Sequence, residues 1–285
     1  MILEILFLFK MIRRKVPLPF QGNKANNIND FIKYIKSCSD ELTFIDLFGG
    51  SCYLSYVIKQ LKPNSKVICN DYDNYRERLE NIDITNRIIK EIKQINPNKK
   101  IESKFTSQEK EEIKEIIDFY ENEGNFIDII TLSTCLNYSG QRFTTKEKLY
   151  SQPFYNRLVK YPYDVSWFLK GIKDIEFVKC DWEELFNKHR DEENICFIAD
   201  PPYFNTNQET YKNQCNFNQF LKTLKIFNQS NFVYFTSEKS DLETLIKFIN
   251  EQYLKENPII YSKIIIKRHG RRKLLKPWNE LMLFK

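Results

Sequence analysis

Ile195-Cys196-Phe197-Ile198-Ala199-Asp200-Pro201-Pro202-Tyr203 decides how the rest of the chain is read. The apolar run reads as a strand, rich in β-forming residues. It ends at an acid followed by two prolines, which hold the backbone extended, carry no N–H and leave their carbonyl oxygens free to point at one place. An acid, a rigid acceptor carbonyl and an aromatic ring are thereby held at a strand's C-terminal end, where open α/β sheets bind ligands. That combination suits a flat base with an exocyclic amine. Asp200 and the Pro201 carbonyl would accept its two N–H hydrogens, Pro202 would stiffen the turn, and Tyr203 would stack on the ring.

Six further runs have the same β-rich character: 43–48 (TFIDLF), 66–71 (KVICND), 175–180 (IEFVKC), 231–237 (NFVYFTS), 259–267 (IIYSKIIIK) and 280–285 (ELMLFK). Helical patterns separate the earlier runs, as in parallel βαβ units, whereas the last two lack a helix between them and predict an antiparallel hairpin at one end of the sheet. The expected class is α/β, a Rossmann-like seven-stranded sheet, mostly parallel. Between residues 87 and 173 no run reads as a strand. Amphipathic stretches at 110–124 and 126–136 precede a polar, aromatic loop at 137–158, so 87–173 is expected to be a mainly helical insertion into a domain made of 11–86 and 174–285.

With 285 residues the chain can bury a full core, and one large domain with an insertion suits its length. Seven cysteines, odd in number and without a C-x-x-C pair, and only two histidines suit neither a disulfide framework nor a zinc site. A reducing cytoplasm is the expected compartment, and no metal is expected. The apolar start, MILEILFLF, is too short to span a bilayer and contains Glu4, so the first ten residues read as an upstream extension of a soluble protein. The net charge of +6 is unevenly spread, because residues 261–285 carry eight basic side chains against one acid. Such a tail suits a polyanion such as nucleic acid, with Lys267, Arg268, Arg271, Arg272 and Lys273 around Gly270 as candidate contacts. A solvated loop kept for solubility is the alternative.

Glycine is scarce, with 7 in the chain against a usual share of roughly 7% of residues, so its positions carry information. Gly49 and Gly50 sit together in Asp46-Leu47-Phe48-Gly49-Gly50-Ser51, a strand-to-helix turn where a ligand can approach the backbone. Asp71 closes the next strand, about where a carboxylate meets ribose hydroxyls. Gly22 lies in Pro19-Phe20-Gln21-Gly22-Asn23-Lys24, and Asp181 gives a further acid at a strand's end, as a ligand contact or a helix N-cap.

In this order the motifs resemble an S-adenosylmethionine-dependent DNA adenine-N6 methyltransferase of the Dam/D12 class, over residues 15–285. The resemblance implies a methyltransferase sheet, 11–86 and 174–285 as the donor-binding catalytic domain, and 87–173 as the target-recognition insert. It implies donor contacts from Phe20, Lys24, Asp46, Phe48, Gly49, Gly50, Asp71, Asp181 and Asp200, with Asp200-Pro201-Pro202-Tyr203 at the site of methyl transfer. Asn137, Tyr138, Arg142 and Arg157, with Phe154, resemble the family's recognition segment. Double-stranded DNA is the implied partner of a monomeric enzyme, with a cognate restriction endonuclease where the enzyme belongs to a restriction-modification pair. The family's turn often reads F-x-G-x-G, and its second glycine is Cys52 here. A Cys52 already in helical conformation is tolerable, whereas a positive φ there predicts weaker donor binding. Alternatives are N4-cytosine or RNA-base methylation, and a DNA-binding protein with a decayed methyltransferase fold.

Overall fold

The computed structural model describes residues 12–13, 15–20, 22, 24, 27–159, 161–202, 216–237, 263–268 and 279–285, with residues 139, 263–268 and 279–281 in backbone alone. Strands β1 (Thr43–Asp46), β2 (Val67–Asn70), β3 (Glu176–Val178), β4 (Ile195–Ala199), β5 (Phe232–Ser237), β6 (Lys263–Arg268) and β7 (Asn279–Phe284) form one sheet. Their order is β3-β2-β1-β4-β5-β7-β6. The pairings β1–β2, β1–β4, β2–β3 and β4–β5 are parallel, while β7 runs antiparallel between β5 and β6. Every residue of β2, β4 and β5 is buried, and their polar residues, Asn70, Thr236 and Ser237, stand at the C-terminal ends of β2 and β5. The sheet is therefore the mixed α/β sheet expected, with a C-terminal antiparallel hairpin.

The α-helices among the described residues are α1 (Ile28–Ser37), α2 (Tyr53–Leu61), α3 (Tyr75–Glu80), α4 (Ile82–Ile95), α5 (Ser107–Asn122), α6 (Ile129–Leu136), α7 (Lys146–Tyr150), α8 (Ser166–Ile172), α9 (Trp182–His189) and α10 (Phe217–Thr223). The chain divides into two compact units. One takes the described residues of Met1–Lys15, Gly22–Asp73 and Gly171–Lys285, the other those of Val16–Gln21 and Asn74–Lys170.

In the first unit the core on one sheet face gathers Ile45, Ile68, Phe186, Phe197, Phe227, Phe232 and Tyr234. Phe186 packs on Phe197 with ring centroids 5.0 Å apart, and Phe227 on Tyr234 at 4.9 Å. Phe31 of α1 meets Phe235 of β5 at 5.9 Å. Helix α1 is amphipathic, burying Ile28, Phe31, Ile32 and Ile35 while Lys33 and Lys36 stay at the surface.

The regular secondary structure among the described residues of the second unit is helical apart from one isolated bridge between Lys104 and Tyr155. Thr106 and Glu109 form a capping box that starts α5. The unit also holds a buried ion pair. Arg78 Nε donates to Asp128 Oδ1 at 2.9 Å, with the two side chains 4% and 1% exposed. The Arg78 Nη2 group also donates to the Pro19 carbonyl at 2.9 Å and to Thr131 Oγ1 at 3.1 Å. Asp128 in turn caps α6 by accepting from the Thr131 backbone N–H. Tyr75 hydrogen-bonds both the N–H and the carbonyl of Leu18, and its ring meets Phe20 edge-on at 5.7 Å. These contacts make residues 16–20 part of the second unit.

Removing one partner of a buried, hydrogen-bonded pair leaves the other charge unpaired, which costs about 3 to 5 kcal/mol. Arg78→Leu is therefore expected to lower stability by that amount in chemical denaturation. The double variant Arg78→Leu/Asp128→Leu is expected to recover a large part of it, because neither charge remains buried alone.

Candidate active site

The sheet order reverses at β1 and β4, which lie side by side and parallel while their neighbours run off in opposite directions, and Asp46 and Asp200 stand at the C-terminal ends of this pair. This is the topological switch point, where open α/β sheets bind ligands. Asp46 is 1% exposed. Its Oδ2 accepts from Ser55 Oγ at 2.7 Å, while Oδ1 accepts no well-formed hydrogen bond among the described residues. Burial, with the nearby Asp200 charge adding to it against the Ser55 hydrogen bond, pushes the Asp46 carboxyl up to about 7.

Lys24 supplies the counter-charge. Its ammonium lies 2.7 Å from Asp200 Oδ2, with the two side chains 5% and 17% exposed. The same group donates to the Gly22 carbonyl at 3.1 Å and sits 5.9 Å from the centroid of the Phe235 ring. Gly22 has φ 83°, a left-handed conformation that glycine adopts without penalty and that turns the chain back so Lys24 can reach its carbonyl. The P-F-Q-G-N-K and D-P-P-Y motifs are thus joined through Lys24 and Asp200. Beyond Asp200, Pro201 is buried and Pro202 half-buried; Tyr203 lies outside the described residues.

The turn after β1 is shaped by close approach. A Cβ on Gly49 would lie 2.5 Å from Cys69 Sγ and 2.8 Å from the Asn70 carbonyl, so no side chain fits there. Gly50 has φ 51° and Cys52 φ 54°. Cys52 is thus in the left-handed region, the case in which the departure from glycine carries a cost, of roughly 1 to 2 kcal/mol for an ordinary residue. The side chain is fully buried, and its thiol is pushed up by hydrogen bonding to Cys69 and by burial. Phe48 is half-buried against Trp182, with ring centroids 5.4 Å apart.

Asp71 is buried at the end of β2, where its N–H bonds the Val178 carbonyl at 2.9 Å. Asp181 is exposed and caps α9, with Oδ1 accepting from the Glu183 N–H at 2.8 Å. Asn70, which the motif reading passed over, ties these pieces together. Its Nδ2 donates to the carbonyls of Leu47 and Cys180 at 3.1 and 3.0 Å, and its Oδ1 accepts from the Cys180 N–H at 3.2 Å. One side chain thereby fixes the glycine turn and the residue before Asp181. The available signal was an amide closing an otherwise apolar strand.

The remaining site residues fall elsewhere. Phe20 belongs to the second unit, as do Asn137, Tyr138, Arg142 and Arg157. There the backbone N–H groups of Tyr155 and Arg157 bond the Leu136 and Cys135 carbonyls at 2.7 and 2.9 Å, which brings the 137–142 turn beside residues 154–157. Tyr138 is 65% exposed, its ring 5.4 Å from that of Tyr155. Asn137 is buried, Arg142 half-buried, and Arg157 lies 3.6 Å from Glu102. Lys267 and Arg268 close β6 opposite Glu280 and Asn279. Gly270, Arg271, Arg272 and Lys273 lie outside the described residues.

A sheet of this order with acids at its switch point and a glycine turn after β1 defines a nucleotide-type ligand site of the Rossmann-like class. The family model for D12 class N6 adenine-specific DNA methyltransferases matches residues 20–264, and the chain belongs to that family. A Haemophilus influenzae protein named "Putative methyltransferase" is 32% identical over 246 residues, 84% of this chain and 81% of the relative. Among solved structures, a precorrin-6y C5,15-methyltransferase from Geobacter metallireducens aligns at 7% identity and TM-score 0.37, covering 96% of this chain and 93% of the other. The methyltransferase domain of METTL16 aligns at 9% identity and TM-score 0.38, covering 99% and 93%. At such scores these two add nothing to the sheet order above.

The protein is therefore a methyltransferase, and S-adenosylmethionine is the methyl donor its fold implies. The residues present fit such a group, because a cationic donor suits a buried carboxylate, that of Asp46, whose second oxygen accepts no well-formed hydrogen bond among the described residues. Among those residues no group of three His, Cys, Asp or Glu side chains could hold a metal ion, and no helix is long and apolar enough to cross a membrane.

The Asp46 carboxyl is raised from 3.8 to about 7, so the folded chain binds a proton that the unfolded chain has lost between those values. That stabilisation is complete below the lower value and is lost as pH rises through the upper one, by at most about 4 kcal/mol. Denaturation midpoints of the ligand-free protein should fall between about pH 4 and 8, and Asp46→Asn should flatten the slope. The positive φ at Cys52 is the case for which weaker donor binding is expected. Calorimetric titration should give Cys52→Gly a higher donor affinity than the natural protein, whereas Cys52→Val, β-branched at positive φ, should lose both stability and binding.

Proposed function

We propose that the chain transfers the methyl group of S-adenosylmethionine to N6 of an adenine flipped out of duplex DNA. The observation that carries this reading is Asp200, held by Lys24 at the β1–β4 switch point and followed by two prolines without N–H groups. When bound, S-adenosylmethionine supplies a methyl group made electrophilic by its positively charged sulfur. Asp46, Phe48, Gly49, Gly50, Asp71 and Asp181, with Phe20 and Lys24, are the residues proposed to hold it.

The adenine N6 lone pair is delocalised into the ring and is a weak nucleophile. Two acceptors, the Asp200 carboxylate and the Pro201 carbonyl, would draw on both N6 hydrogens, localise the lone pair on nitrogen and stabilise positive charge developing there. For that role Asp200 must be ionised, and the Lys24 ammonium at 2.7 Å favours the carboxylate. Fixing the amine between two acceptors also orients it for in-line attack, and positioning of this kind supplies much of an enzyme's rate.

A base inside a duplex is out of reach of such a pocket, and flipping it costs a few kcal/mol. Stacking on Tyr203 is proposed to recover about 1 to 3 kcal/mol, by analogy with single-strand binding. The tail residues Lys267, Arg268, Arg271, Arg272 and Lys273 are proposed to hold backbone phosphates, while Asn137, Tyr138, Arg142 and Arg157 are proposed to address the target sequence. The insert of 87–173 is accordingly proposed as the recognition domain of a cytoplasmic, monomeric enzyme, with a cognate endonuclease as its companion in a restriction-modification pair.

Asp200→Ala is expected to reduce methyl transfer to background in a tritiated-methyl assay while duplex binding stays within about threefold. Retained turnover would overturn the assignment. Incorporation into cytosine or RNA, and not into adenine of DNA, would overturn the substrate while leaving the methyltransferase standing.

A further inference from the structure

Helix α4 beyond Arg87 and the loop that follows it form a surface that the donor and recognition motifs leave unused. It holds a cleft of about 420 Å³ that lies wholly inside the second unit. The lining is apolar at Phe105, Pro97 and Leu158, and polar at Lys90, Lys93 and Asn156.

Charge is uneven across this surface. From Arg87 to Lys104 the sequence holds six basic side chains against two acids, Glu91 and Glu102. Both acids are engaged elsewhere, since Glu91 accepts from Tyr120 Oη at 2.6 Å and Glu102 lies 3.6 Å from Arg157. Lys99 is neutralised by Glu109 at 2.5 Å. Lys90 and Lys93 are exposed and have no acidic partner among the described residues; Lys93 lies over the Tyr161 ring at 4.9 Å. They stand three residues apart on α4, on one side of the helix.

The cleft is also tied through the backbone to the proposed recognition turn. Asn156 lines it, and the flanking Tyr155 and Arg157 bond the carbonyls that end α6, just before Tyr138. We infer that the Lys90–Lys93 cleft holds backbone phosphates of the DNA beside the sequence addressed by the 137–142 turn. This rests on the DNA reading above and adds a contact surface to it.

The test is duplex binding by the full chain over a salt series, measured by fluorescence anisotropy. Lys90→Gln/Lys93→Gln should weaken binding roughly tenfold near physiological salt, for all DNA sequences alike, and flatten the log–log salt slope by about 1.8. Donor binding and the thermal midpoint should stay unchanged, which separates lost contacts from misfolding. Equal binding by variant and natural protein overturns the cleft alone. A loss confined to one sequence assigns these lysines to base readout and overturns the phosphate role. Competition by adenosine monophosphate at matched phosphate concentration makes the cleft a free-nucleotide site and overturns the inference likewise. If the natural protein binds no duplex at all, the DNA reading falls and this inference with it.

Discussion

Strand β1 is hydrogen-bonded to β2 on one side and to β4 on the other, both in parallel, and the remaining structure depends on that arrangement. Parallel neighbours need crossover connections, so the chain must leave the sheet and return between each pair. The crossovers change direction between β1 and β4, and Asp46 and Asp200 both stand at the C-terminal ends of these strands, where open α/β sheets bind ligands. The site is thus a by-product of topology before it is a matter of particular side chains.

Those side chains then face an electrostatic problem. Two carboxylates close together in a buried place repel one another, and the cation that the described residues bring to them, Lys24, bonds Asp200. The imbalance leaves Asp46 as the group that takes up a proton. A positively charged ligand would relieve it by offering the missing charge, so the same feature that destabilises the free protein above neutral pH prepares it for a cationic donor. The arrangement trades stability for binding, as functional sites commonly do.

Much of this was legible in the sequence. The strand ICFIA, buried on both faces, announces itself by an unbroken apolar run. The glycine turn and the acid-proline-proline turn could be read because they rest on local backbone chemistry. The insertion of β7 between β5 and β6 could not, since strand neighbours far apart in sequence leave no local mark. Nor could the membership of residues 16–20 in the second unit. It depends on Arg78, which in Y-R-E-R-L-E looks like any solvated helix residue, and on Asp128, which looks like an ordinary helix cap. The sign of φ at Cys52 was likewise a question that only the folded backbone could answer.

The hydrogen bond from Arg78 to the Pro19 carbonyl has a bearing on how the protein is made. A ribosome delivers Leu18 and Pro19 early, but Asp128 and Thr131, which hold the guanidinium in place, emerge only after β1, α2, β2 and α4 have left the exit tunnel. During that interval Leu18 and Phe20 already have Tyr75 as a partner, but Arg78, which holds the Pro19 carbonyl, lacks Asp128 and Thr131. The last contacts that fix this segment therefore become possible only late in synthesis.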